Sequence, residues 1–136
     1  MNQTDKTEKT DRTDPKTILV GVTDIFFYSK VRDVLMSKGY RIERARTQQD
    51  IAEKSSTIPS AFILNMNDET LNAFQTLETL TADARLKTIP ILAFANHEEV
   101  DTFNRARALG VNKIVSRNEF STRLKDLIEE VAGDHV

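Results

Sequence analysis

Short apolar runs alternate with stretches whose apolar residues recur three and four positions apart, and the alternation runs from Ile18 to Val131. Ile18-Leu19-Val20-Gly21-Val22, Ala61-Phe62-Ile63-Leu64 and Ile91-Leu92-Ala93-Phe94 are unbroken runs of strand length, as expected of strands buried on both faces. Between them the period changes. Phe27, Val31, Val34 and Leu35 mark a first amphipathic helix that stops at Gly39, ahead of a second strand at Tyr40 and Ile42. Thr47 with Asp50 reads as the cap of a short second helix that gives out at Ser55, Ser56 and Pro59. Leu71, Phe74, Leu77 and Leu80 line a third helix, and Pro90 opens the fourth strand. Val100, Phe103, Ala106 and Leu109 form the stripe of a fourth helix ended by Gly110. Lys113 to Val115 make a short fifth strand, and Phe120, Leu124, Leu127, Ile128 and Val131 complete a fifth helix. Five strand-helix pairs predict an α/β fold. Right-handed crossovers make a flavodoxin-like, three-layer sandwich with parallel strands in the order 2-1-3-4-5 the simplest arrangement.

The flanks read differently. Thr4 to Pro15 cycles hydroxyl, acid and base or proline with no apolar side chain, so residues 1–16 are expected to form a disordered tail, 17–132 the folded domain and 133–136 a second short tail. With 19 Lys plus Arg against 21 Asp plus Glu, no overall field favours nucleic acid or an anionic membrane. A protein or small ligand is the expected partner. The absence of Cys removes disulfide, redox-thiol and thiolate-metal chemistry, and no run has the length of a signal peptide or membrane span, so a soluble, cytoplasmic protein is expected.

Parallel sheets place their chemistry beyond the carboxyl ends of the strands, and Asn65, closing the central run, stands in the middle of that edge. An amide there carries no charge and is a poor nucleophile, which points to binding.

From Lys16 to Ala132 the pattern resembles the receiver domain of two-component response regulators. The matching landmarks are Ile18–Val22, Gly39-Tyr40, Pro59 with Ala61–Asn65, Pro90–Ala95, and Gly110-Val111 followed by Ile114-Val115. The resemblance implies a role in phosphorelay signalling, but the reactive edge departs from the family's pattern. The two adjacent acids that hold magnesium in the family match Val22 and Thr23, with Asp24 one step beyond. The phosphoryl-accepting Asp matches Asn65, the hydroxyl residue after the fourth strand matches Ala95, the switching aromatic matches Ile114, and the Lys-Pro pair matches Arg117 and Asn118. A lone Asp24 makes a poor cage for a hard divalent cation, and without a carboxylate at Asn65 or a hydroxyl at Ala95 neither an acyl-phosphate nor its switch is available. An atypical, pseudo-receiver module is therefore expected, with no catalytic residue, metal or cofactor. Its partner would be a signalling protein: a histidine kinase, another regulator or an effector.

Several residues carry two readings. Arg117 either pairs with Asp24 or Asp68, the expected outcome, or binds a small oxyanion bidentately. Phe26, pushed outward by the helical phase of Phe27, either covers the loop from Asn65 to Glu69 or offers a partner contact. His97 reads as solvated rather than catalytic, since it has no partner of the right kind and the one other His is His135 near the terminus. Asn67 and Asp68 read equally as turn-formers or as an ion or phosphoryl site, and Asp24 or Asp68 could make an unusual phosphoacceptor. A flavodoxin-like ligand sensor lacks the glycine-rich phosphate loop it would need. The charged positions Glu98, Asp101, Arg105 and Lys113, and Arg123 with Asp126, read as solvated surface. Arg105, Lys113 and Ile114 fall where receivers dock partners or form homodimers through helix 4, strand 5 and helix 5. The chain ends a few residues past the last helix, so its output is expected to be an interaction rather than an attached domain.

Overall fold

The computed structural model describes residues 16–132. The tails expected at residues 1–15 and 133–136 lie outside them; Lys16, expected in the tail, belongs to the described body, where its Nζ donates to the Ala132 carbonyl (2.9 Å). Five parallel strands, β1 (Thr17–Gly21), β2 (Arg41–Arg44), β3 (Ala61–Asn65), β4 (Ile91–Ala95) and β5 (Lys113–Ser116), form one sheet in the order 2-1-3-4-5. The helices are α1 (Ile25–Ser37), α2 (Gln48–Lys54, continued by a 3-10 turn at Ser55–Thr57), α3 (Ala73–Ala82), α4 (Val100–Ala108) and α5 (Arg117–Ala132). The predicted topology is the observed one.

The alternation of side chains along each strand divides the core in two. Ile18, Val20, Ile63, Leu92, Phe94 and Val115 point to one layer, where Phe27, Val31 and Leu35 of α1 meet Phe120, Leu124, Leu127 and Ile128 of α5. Leu19, Phe62, Leu64, Ile91 and Ala93 point to the other, against Ile51, Leu77, Leu80 and Ala106. β3 and β4 are buried throughout, which is why they are apolar in every position but Asn65, whereas the edge strand β2 carries Arg41, Glu43 and Arg44. α1 and α4 end alike: Gly39 (φ +89°) and Gly110 (φ +102°) take the left-handed conformation. The chain then folds back, so that Tyr40 N–H bonds Leu35 O and Val111 N–H bonds Ala106 O.

Three local expectations are revised. Leu71 is buried but lies in the turn before α3, beside the strand end at Gly21, rather than on the helix. Val100, assigned to the apolar stripe of α4, is 63% exposed, because it sits in the first turn before the helix reaches the sheet. α5 is interrupted at Arg123 (φ −120°, ψ 22°), which separates a first turn and a half, capped by Ser116 Oγ on Glu119 N–H, from the long packed segment. Arg123 pairs with Glu119 Oε2 one turn back (2.5 Å).

Candidate functional site at the carboxyl edge of the sheet

β1, β3, β4 and β5 deliver their ends to one rim. Register places Gly21 beside Leu64, Asn65 beside Phe94, and Ala95 beside Ser116, so Val22 to Asp24, Asn65, Ala95 and Arg117 converge there as the sequence predicts. Val22 and Ala95 are fully buried and apolar. They shape the floor and offer no ligand atom.

Asn65 is 7% exposed. Its Oδ1 accepts from Asn67 N–H (3.0 Å) and its carbonyl from Asp68 N–H (3.0 Å), so the residue folds the β3–α3 loop back over its own amide. Asp24 is the N-cap of α1: Oδ1 accepts from Phe26 N–H (2.9 Å) and Phe27 N–H (3.2 Å), a role its type favours by about 1 kcal/mol. Asp68, also 7% exposed, accepts from Thr23 N–H (2.8 Å), from the Thr23 hydroxyl (2.9 Å) and from Leu71 N–H (3.0 Å). Thr23 is held from the other side as well, where its carbonyl accepts from the Arg44 guanidinium (2.7 Å), which lies over the Tyr28 ring (4.7 Å).

The expected ion pair of Arg117 with Asp24 or Asp68 does not form. Its guanidinium lies over the Phe27 ring (4.2 Å) and near Phe94 (6.0 Å), on a cluster in which Phe94 stacks on Phe120 (4.2 Å). Both carboxylates already serve backbone and hydroxyl donors, so the cation takes the negative faces of the rings instead, an attraction of about 0.5–2 kcal/mol. Phe26 is 82% exposed, so it does not cover the 65–69 loop, and Ile25 beside it is 49% exposed. His97 is solvated, with Glu98 at 3.8 Å.

Of the residues expected to meet a partner, Ile114 is buried at 8% exposure in the core beneath α4 and cannot be a contact. Lys113 lies 3.3 Å from Glu130. Arg105 lies over Phe74 (4.0 Å) and 3.9 Å from Glu78, which ties it to α3 rather than leaving it free on the surface. One cluster was missed in the sequence. Asn67 Nδ2 donates to Glu99 Oε1 (2.7 Å), its Oδ1 accepts from Asn96 N–H (2.8 Å), and Glu99 also accepts from Thr102 (3.1 Å), along one side of a surface groove of about 410 Å³ between α3 and α4. The only sequence signal is that both 65–68 and 96–99 are rich in Asn and acid.

No family model matches this sequence, and no curated protein matches it. Solved structures do. The chemotaxis protein CheY4 of Vibrio cholerae superimposes with a TM-score of 0.76 at 17% identity, over 86% of this chain and 98% of that one. The fold is that of a receiver domain. A response regulator receiver domain from Bermanella marisrubri gives 0.76 at 20% identity, over 87% and 98%. The receiver domain of a sensor histidine kinase from Pseudomonas aeruginosa, which holds a magnesium ion in its active-site cleft, gives 0.76 at 14%, over 88% and 99%. The donor set at the rim of the present receiver fold does not fit such an ion: Val22 has no donor, and the side chains of Thr23, Asp24 and Asp68 are bonded to one another or to backbone amides. Among the described residues no group of three His, Asp or Glu side chains is placed to hold a metal, and no helix is long and apolar enough to cross a membrane.

Proposed function

We propose that this chain is a receiver-like signalling module that acts by binding another protein and does not undergo aspartyl phosphorylation. The observation that carries the reading is the state of the rim's oxygen donors: a neutral amide at Asn65, and Asp24 and Asp68 both engaged by internal donors. A nucleophilic carboxylate needs a neighbouring cation to offset the phosphoryl charge; Asp24 keeps Oδ2 outside its cap bonds, but the guanidiniums at the rim are held elsewhere, Arg117 over the Phe27 ring and Arg44 on the Thr23 carbonyl. The partner is a signalling protein such as a histidine kinase, another regulator or an effector. Its contact is the exposed pair Ile25 and Phe26 at the head of α1.

Incubation with acetyl phosphate and magnesium, followed by intact-mass measurement, tests the reading. The mass is expected to stay unchanged. An acid-labile adduct of one phosphoryl group, lost in Asp24→Asn or Asp68→Asn, would establish the rival reading of an unusual phosphoacceptor. Phe26→Ala is expected to weaken capture of the partner from the native cell without changing thermal stability.

A further inference from the structure

We infer that Asn67 and Asp68 staple three rim loops into one cooperative unit, so that the β1–α1, β3–α3 and β4–α4 loops open together instead of one at a time. The two residues are adjacent and reach in opposite directions. Asp68 holds the β1–α1 loop through the amide and hydroxyl of Thr23 (2.8 and 2.9 Å). Asn67 holds the β4–α4 loop through the Asn96 amide (2.8 Å) and the Glu99 carboxylate (2.7 Å), and Glu99 immediately precedes α4. Both backbone amides are themselves fixed on Asn65, at its side chain and its carbonyl.

β1 and β4 are the two neighbours of β3 in the sheet, so the staple repeats, in side chains, the pairing that the strands make in backbone. Most of these bonds involve a carboxylate, and charge-assisted bonds are about twice as strong as neutral ones. Loops joined only through the sheet would open independently. Here Asn67 and Asp68 share one peptide, so a backbone displacement that pulls Asn67 from Asn96 and Glu99 also moves Asp68 and with it Thr23.

The junction of β5 and α5 lies outside the unit. There the hydroxyl of Ser116, the last residue of β5, accepts from Glu119 N–H in the first turn of α5, and among the described residues no side-chain hydrogen bond links this junction to the three loops. The inference stands apart from the proposed function, because a chain that accepted phosphate could carry the same staple.

Amide hydrogen exchange of the full chain, read by NMR, tests it. In Asn67→Ala the Thr23 amide, whose own acceptor Asp68 is untouched, is expected to exchange about tenfold faster. In Thr23→Val the Asn96 amide is expected to do the same, while Ile63 in the sheet and Glu119 in the first turn of α5 keep their rates. If each variant speeds only the loop it touches, the unit does not exist. Equal acceleration at Ile63 and Glu119 would likewise overturn it, since it would report loss of the whole fold. Should Thr23→Val fail to fold, Glu99→Ala cuts the staple from its other side and is read at the Thr23 amide with the same outcomes.

Discussion

Replacing Asp68 by Ala separates a structural carboxylate from one held ready for chemistry. The side chain accepts from three donors, of which the Leu71 amide is buried and the Thr23 amide and hydroxyl are partly buried. Orphaning a buried amide costs about 1–3 kcal/mol, and two donors that can recruit water lose about 0.5–1 kcal/mol each. The sum is about 3 kcal/mol, a large share of the roughly 5–15 kcal/mol that holds a domain of this size together. With a urea slope of about 2 kcal/mol per molar, the unfolding midpoint should fall by about 1.5 M. Asp68→Asn, which keeps one acceptor oxygen, should fall by about half as much. The assay is urea unfolding followed by far-ultraviolet circular dichroism, with and without magnesium. A midpoint for Asp68→Ala within about 0.3 M of the parent, or a parent stabilised by magnesium while the variant is not, would refute the argument and return Asp68 to the list of ligands.

Three other outcomes follow from the same geometry. A Cβ on Gly21 would stand 2.7 Å from Leu71 Cδ2 and 2.8 Å from Leu64 Cδ2, so Gly21→Ala should lower stability by about 1–3 kcal/mol in the same urea assay. Burial is the main cause raising the Tyr40 hydroxyl above its ordinary pKa of 10.0. The unfolded chain therefore loses that proton first, and stability should be intact below pH 10 and decline as pH rises through the folded value, with Tyr40→Phe removing that part of the alkaline slope. Asn65→Asp alone should not become phosphorylated by acetyl phosphate and magnesium, because Val22 and the engaged Thr23 and Asp24 still provide no cation site; full modification of that variant by intact mass would show the rim to be more permissive than its donors suggest.

The fold was legible because its signals are local and redundant. β3 and β4 are apolar at almost every position, and Gly39 and Gly110 sit where a left-handed residue ends a helix, so strand order followed from handedness alone. The Thr47 cap was readable for the same reason, since it bonds the Asp50 amide three residues away, whereas the cap role of Asp24 went unread because the residue was weighed only as a ligand, ion-pair partner or phosphoacceptor. The rim was harder. Arg117 meets Phe27 and Phe94, residues from two other elements, and no spacing along the chain shows that a ring cluster would outcompete a carboxylate for the guanidinium. Asn67 and Asp68 looked like turn residues because they are turn residues; that they also reach sideways to Thr23 and Glu99 depends on the distance between neighbouring strands. Val100 is exposed for a related reason, as helix phase says which residues share a face but not where along its length that face first touches the sheet, and Ile114, expected at a partner face, is a strand residue turned into the core beneath α4.

The bond from Lys16 Nζ to the Ala132 carbonyl joins the first residue before β1 to the last of α5. Both therefore meet at one corner, at the opposite end of the sheet from Asn65. Any polypeptide extending in either direction departs from this shared anchorage, and only a leash long enough to travel the whole length of the sheet could return to the rim. Linking residue 16 to residue 132 and reopening the chain in a surface loop should preserve the architecture, and fusing a reporter at either end should leave the opposite rim free for a visitor.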